Sequence, residues 1–99
     1  FKQNKFNTAL TFSSADIWID NKGYKLPPHT DDSSIKLAIQ IYLSDDNEGT
    51  SLYDNIGNIR YTFPFKFNCG YALYNGVYSH HGVEQIDNDG RTSLYVRYQ

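Results

Sequence analysis

Residues at three places far apart in the chain have the types and spacing to hold a metal ion. His29 and Asp31 are separated by a single residue, Thr30. In extended backbone, positions i and i+2 project to the same side, so the imidazole and the carboxylate can converge on one point. Pro27 and Pro28 come just before them and restrict the backbone leading in. One neutral nitrogen, one hard oxygen and a second imidazole make a donor set that suits Fe(II) and leaves an octahedral face open. The second imidazole is expected from Ser79-His80-His81-Gly82-Val83. His81 is preferred because Gly82 beside it permits close approach of a neighbouring backbone, and strand alternation puts His80 on the opposite face. Arg91-Thr92-Ser93 follows the turn Asp87-Asn88-Asp89-Gly90, which returns the chain beside His81. Arg91 and Ser93 share a face. A guanidinium can take a carboxylate through two parallel hydrogen bonds, and the hydroxyl adds a donor. The pair suits the far carboxylate of a dicarboxylic acid whose near end chelates the metal. The competing reading pairs Arg91 with Asp87 or Asp89 at the surface.

These residues must be positioned by strands, because no stretch has helical periodicity of useful length. Short runs with alternating character are expected as strands at 6–12, 16–20, 24–26, 35–43, 51–53, 60–63, 71–74, 81–86 and 92–98. Turn chemistry separates them: Asn21-Lys22-Gly23, Pro27-Pro28, residues 45–49, residues 55–58, Asn75-Gly76 and residues 87–90. About eight strands in this length predict an all-β core, a double-stranded β-helix or jelly roll of cupin-like form.

Two strands are more informative than the rest. Over 35–43 the odd positions Ile35, Leu37, Ile39, Ile41 and Leu43 form an apolar face, and Lys36, Ala38, Gln40 and Tyr42 form a mixed polar one. In the last strand, Leu94 and Val96 oppose Arg91, Ser93, Tyr95 and Arg97. The polar faces are expected to line a cavity, leaving apolar faces that need a cover from outside. Covering helices are absent from the sequence, so an N-terminal segment of a longer parent chain, or a partner, is expected to supply them.

Bulk properties fit one domain over residues 1–99. Apolar residues make up 39% and aromatics 16% of the chain, enough for a core and against disorder. With Phe1 at the start and no methionine, the sequence is expected to be an excerpt. A net charge of −2 with scattered basic residues gives no nucleic-acid footprint, and the apolar runs are too short to span a bilayer. Cys69 is the single cysteine, so no internal disulfide can form and a reducing compartment, the cytoplasm, is expected. Cys69 itself is expected to be a buried small residue. Trp18 and Asp20 are candidates for the cavity mouth, and Arg97 and Lys36 for substrate contact. The acidic run 45–48 lacks EF-hand ligand spacing and is expected as a solvated hairpin.

Taken in order, His-x-Asp, a distant His and Arg-x-Ser resemble the 2-oxoglutarate/Fe(II)-dependent dioxygenase superfamily, in its prolyl-4-hydroxylase-like branch. The likeness runs from about Tyr24 to Tyr98 and includes Tyr24-Lys25-Leu26-Pro27-Pro28, Ile41-Tyr42-Leu43-Ser44, Gly49-Thr50-Ser51-Leu52 and Ser79-His80-His81-Gly82-Val83. Arg91 stands where the collagen-modifying members use Lys, which argues against a collagen-type substrate. The resemblance implies Fe(II) on His29, Asp31 and His81, with O2 and 2-oxoglutarate as cosubstrates. It further implies that Arg91, Ser93 and Tyr42 hold the far carboxylate, and that Leu52 packs on the cosubstrate chain. The implied reaction hydroxylates a C–H bond of a small molecule or protein side chain while 2-oxoglutarate and O2 become succinate and CO2. Two alternatives stand beside it: a cupin-like metalloenzyme of another reaction type, and a non-catalytic jelly-roll binding module.

Overall fold

A computed structural model describes residues 9–99. Its strands are β1 (Phe12–Asp20), β2 (Leu26–His29), β3 (Leu37–Tyr42), β4 (Ser51–Tyr53), β5 (Ile59–Thr62), β6 (Gly70–Tyr74), β7 (His81–Val83) and β8 (Arg91–Tyr98). They form two four-stranded antiparallel sheets, ordered β1-β8-β3-β6 and β2-β7-β4-β5. Pairing is nested: β4 with β5, β3 with β6, β2 with β7, and β1 with β8. The chain is thus one long hairpin rolled over on itself, with jelly-roll-like packing of the two sheets. No helix among the described residues is long and apolar enough to cross a membrane.

The alternation read in β3 and β8 sorts the two faces of the larger sheet. Gln40, Tyr42, Arg91 and Ser93 point inward and are buried. Ile39, Ile41, Leu94 and Val96 lie half-exposed on the outside, next to Ile17 and Ile19 of β1, which are 66% and 65% exposed. The packed core between the sheets is aromatic: Tyr42, Phe65 and Tyr71, flanked by Phe63 and Leu73. Phe63 stacks on Tyr71 at 4.6 Å and Tyr42 lies 4.3 Å from Phe65.

Several expected boundaries move. The expected strand at 16–20 begins earlier, at Phe12, with an irregularity between Phe12 and Ser14, and of the expected strand at 6–12 only Phe12 is strand among the described residues. Residues 6–8 lie outside the described residues, and 9–11 are not strand. Pro27 and Pro28, expected as a turn, lie inside β2. This is sterically permitted because β2 is the edge of its sheet, and its register with β7 slips between Leu26 and His29, where proline has no N–H to give. β7 ends at Val83, with Glu84 and Gln85 exposed. Cys69, expected inside, is exposed: it follows Asn68, a left-handed turn residue with φ 64°, immediately before β6.

Candidate metal centre

β2 and β7 build the cluster by direct strand pairing. His29 and His81 are register partners across the antiparallel ladder, and their ring centroids lie 4.5 Å apart. Asp31 follows β2 by two residues and turns its carboxylate back, with Oδ1 3.4 Å from His81 Nε2 and 3.8 Å from His29 Nε2. One ligand atom from each of the three residues lies within 4.8 Å of the others. Ligands about 2.1 Å from an ion and at right angles are ~3 Å apart, so closure onto a metal requires only small side-chain movement.

The two imidazoles are prepared for the same task. Nδ1 of His29 is 3.0 Å from the Pro27 carbonyl, and Nδ1 of His81 is 2.7 Å from the Ser79 carbonyl. A carbonyl only accepts, so each Nδ1 carries the hydrogen and each Nε2 of the neutral ring presents its lone pair. His81 is 1% exposed, and its Nε2 is a buried atom with no hydrogen-bond partner. Buried polar atoms are rarely left orphaned; a metal ion in contact with Asp31 and His29 would satisfy this one. The donor set therefore fits a metal.

Electrostatics tie the cluster together. Contact with the His81 ring, reinforced by positive charge on His81, His29 and Arg97, holds Asp31 below the ordinary carboxylate range against the opposing effect of burial. For His81, burial acts to lower the imidazole, but the Asp31 contact, the Ser79 carbonyl and the Asp31 charge together raise it. Gly82 makes the approach of β2 possible: a Cβ there would stand 2.3 Å from the Leu26 carbonyl oxygen.

The cluster opens into a cavity of about 240 Å³ between the two sheets, lined among others by Trp18, Asp20, Gln40, Thr50, Arg91, Ser93, Tyr95 and Arg97. Arg91 is 2% exposed and donates from Nε to the Glu48 carbonyl (2.7 Å), from Nη1 to Asp20 (3.0 Å) and from Nη2 to Thr50 Oγ1 (3.4 Å). Its guanidinium lies 5.3 Å from the Phe65 ring centre and 5.7 Å from that of Tyr42. Arginine can only donate, and this sets the direction of a buried chain. Thr50 passes its hydrogen to Gln40 Oε1 at 2.8 Å, Tyr71 donates to the same oxygen at 2.8 Å, and Gln40 Nε2 donates to Ser93 Oγ at 3.0 Å. Ser93 is left with its own O–H to offer to the cavity it lines.

Some of the other anticipated residues fall elsewhere. Tyr42 does not line the cavity; its hydroxyl accepts the Thr50 N–H at 2.9 Å. Arg91 pairs with neither Asp87 nor Asp89 but with Asp20, its register partner on β1. Lys36 lies just outside β3, exposed, beside Leu10 and Tyr74 rather than in the cavity. Leu52 is half-buried and also outside it. Arg97 lines the cavity with its guanidinium 4.4 Å over Tyr95 and 3.7 Å from Asp16. The residues 45–48 border a separate surface depression with Asp87 and Asn88. Gln40 lines the cavity, as expected of the polar face of β3, whereas nothing in the sequence singles out Thr50 as a site residue. Compared with protein-family models, curated proteins and solved structures, the chain gave no match.

Proposed function

We propose that this chain is the double-stranded β-helix core of an Fe(II)-dependent dioxygenase that uses 2-oxoglutarate. The observation that carries the reading is the convergence of one ligand atom each from His29, Asp31 and His81, the buried Nε2 of His81 lying 3.4 Å from Asp31, with both Nδ1 atoms committed to carbonyls. The nested strand pairing supports the fold assignment. Fe(II) held there would supply oxygen activation, coupling oxidative decarboxylation of the 2-oxo acid to hydroxylation of a C–H bond.

The chain's own residues do the binding and orienting. His29, Asp31 and His81 would hold the ion on one side, leaving the cavity side for a chelating 2-oxo acid. Ser93 offers an O–H, and Arg91 offers the N–H groups that Glu48, Asp20 and Thr50 do not occupy, to the far end of that acid. Tyr42 would steady the clamp by holding the Thr50 backbone and stacking under the guanidinium. Trp18, His29 and Arg97 border the cavity, where a substrate C–H bond would enter.

Anaerobic titration with Fe(II) and 2-oxoglutarate tests the reading through the weak visible charge-transfer band of the chelate. His81→Ala and Asp31→Ala should abolish the band and His80→Ala should retain it; a band surviving both ligand substitutions rules the assignment out. The second reading, a metalloenzyme of another reaction type or a binding module on the same scaffold, is favoured by one observation. Asp20 already neutralises Arg91, so the cavity does not require an anion.

A further inference from the structure

Arg91, the buried cation of the cavity, comes with its own counter-ion. Asp20 and Arg91 are register partners across β1 and β8, their side chains meet at 3.0 Å, and both line the cavity while only 9% and 2% exposed. The pairing is therefore built into the strand register and is not an incidental surface contact. A guanidinium has five N–H donors, and Glu48, Asp20 and Thr50 take three of them. Two remain for a ligand.

We propose that Asp20 sets the cosubstrate range of the site, so that the far end of the cavity takes 2-oxo acids with an uncharged hydrogen-bonding tail as readily as those ending in a carboxylate. This rests on the cavity being a 2-oxo-acid site. A carboxylate tail at Arg91 would share one cation with the Asp20 carboxylate, in a pocket where water screens the repulsion poorly. A carboxamide of the same length brings no second negative charge. Its oxygen can accept from the free Arg91 N–H groups and from the Ser93 hydroxyl, while its N–H can be given to Asp20. Arg97 cannot relieve the crowding: it lies six residues further along β8, held over Tyr95 and next to Asp16. With Asp20 present the guanidinium acts as a set of oriented donors and not as a net positive charge.

The test compares 2-oxoglutarate with its 5-carboxamide on protein loaded with Fe(II) without oxygen, by the visible band, and with Mn(II), by calorimetry. Wild-type protein should bind the two acids with affinities within about ten-fold of each other. Asp20→Asn should shift the ratio by about ten-fold or more toward the dicarboxylate, and Asp20→Glu should keep the wild-type ratio. A wild-type preference for the dicarboxylate above that limit, or a ratio that Asp20→Asn does not move, overturns the role of Asp20 alone. If the Asn variant does not fold, the wild-type ratio decides. Failure of both acids to bind metal-loaded wild-type protein refutes the 2-oxo-acid reading itself.

Discussion

His29 and His81 face each other across antiparallel β2 and β7, rings 4.5 Å apart, and the strands can approach there because residue 82 has no side chain. Gly82→Ala would put a methyl group 2.3 Å from the Leu26 carbonyl oxygen, forcing the two strands apart next to the imidazole pair. We expect a loss of stability of roughly 1–3 kcal/mol together with at least ~10-fold weaker metal binding. Thermal melts and metal titration of the variant measure both; an unchanged metal affinity would show that the strand spacing does not set the site.

Protons compete with metal for His81 Nε2. Because the His81 imidazole is raised above its ordinary value of 6.5, metal affinity should fall as pH drops through that raised value, each bound ion then displacing a proton. Isothermal titration in buffers of different ionisation enthalpy reads the proton release directly.

In the metal-free protein the same pair contributes to stability over a defined window. Asp31 is depressed below 3.8 in the fold, so its contribution is present above that value and is lost as pH falls through the depressed one. His81 is raised, so its contribution is complete below 6.5 and is lost as pH rises through the raised value. Asp31→Asn should flatten the urea-stability profile at both ends; a profile that keeps its shape argues that the two groups are not coupled.

The Asp20–Arg91 pair should behave as a buried ion pair. Asp20→Ala leaves the guanidinium uncompensated and should cost about 3–5 kcal/mol. Asp20→Ala combined with Arg91→Met removes both charges and should recover more than half of that loss. A double variant no more stable than the single one would mean that the Glu48 and Thr50 contacts of Arg91 dominate. Denaturant unfolding of the four proteins completes the cycle.

Burial, and after it the hydrogen bond to Glu84, push the Tyr53 phenol up to about 12. Its contribution to stability is intact below 10 and is lost as pH rises through the folded value. Glu84→Gln should lower the titration midpoint of Tyr53, read from tyrosinate absorbance against a Tyr53→Phe control.

Local chemistry is legible in the sequence. The alternation over β3 and β8 separates cavity face from outer face because side-chain period in a strand is two, whatever the strand pairs with. His29 and Asp31 face one way for the same reason, and Gly82 pointed to His81 as the residue beside a close strand contact. What stayed hidden depends on partners distant in the chain. Nothing near Arg91 distinguishes Asp20 from Asp87 or Asp89 as its counter-ion; only the pairing of β1 with β8 does. Pro27 and Pro28 look like a turn until β2 is known to be an edge. Alternation puts Lys36 on the face of Gln40, but β3 begins after it.

The two halves of the cavity belong to different sheets: His29 and His81 ride on the smaller one, Asp20, Arg91 and Ser93 on the larger. An ion alone would touch only the first, whose links to the second include the bonds of Arg91 and Gln40 to Glu48 and Thr50. A molecule long enough to reach from the triad to Arg91 would rivet the layers, so ion and molecule together should raise the melting temperature by more than the sum of their separate effects.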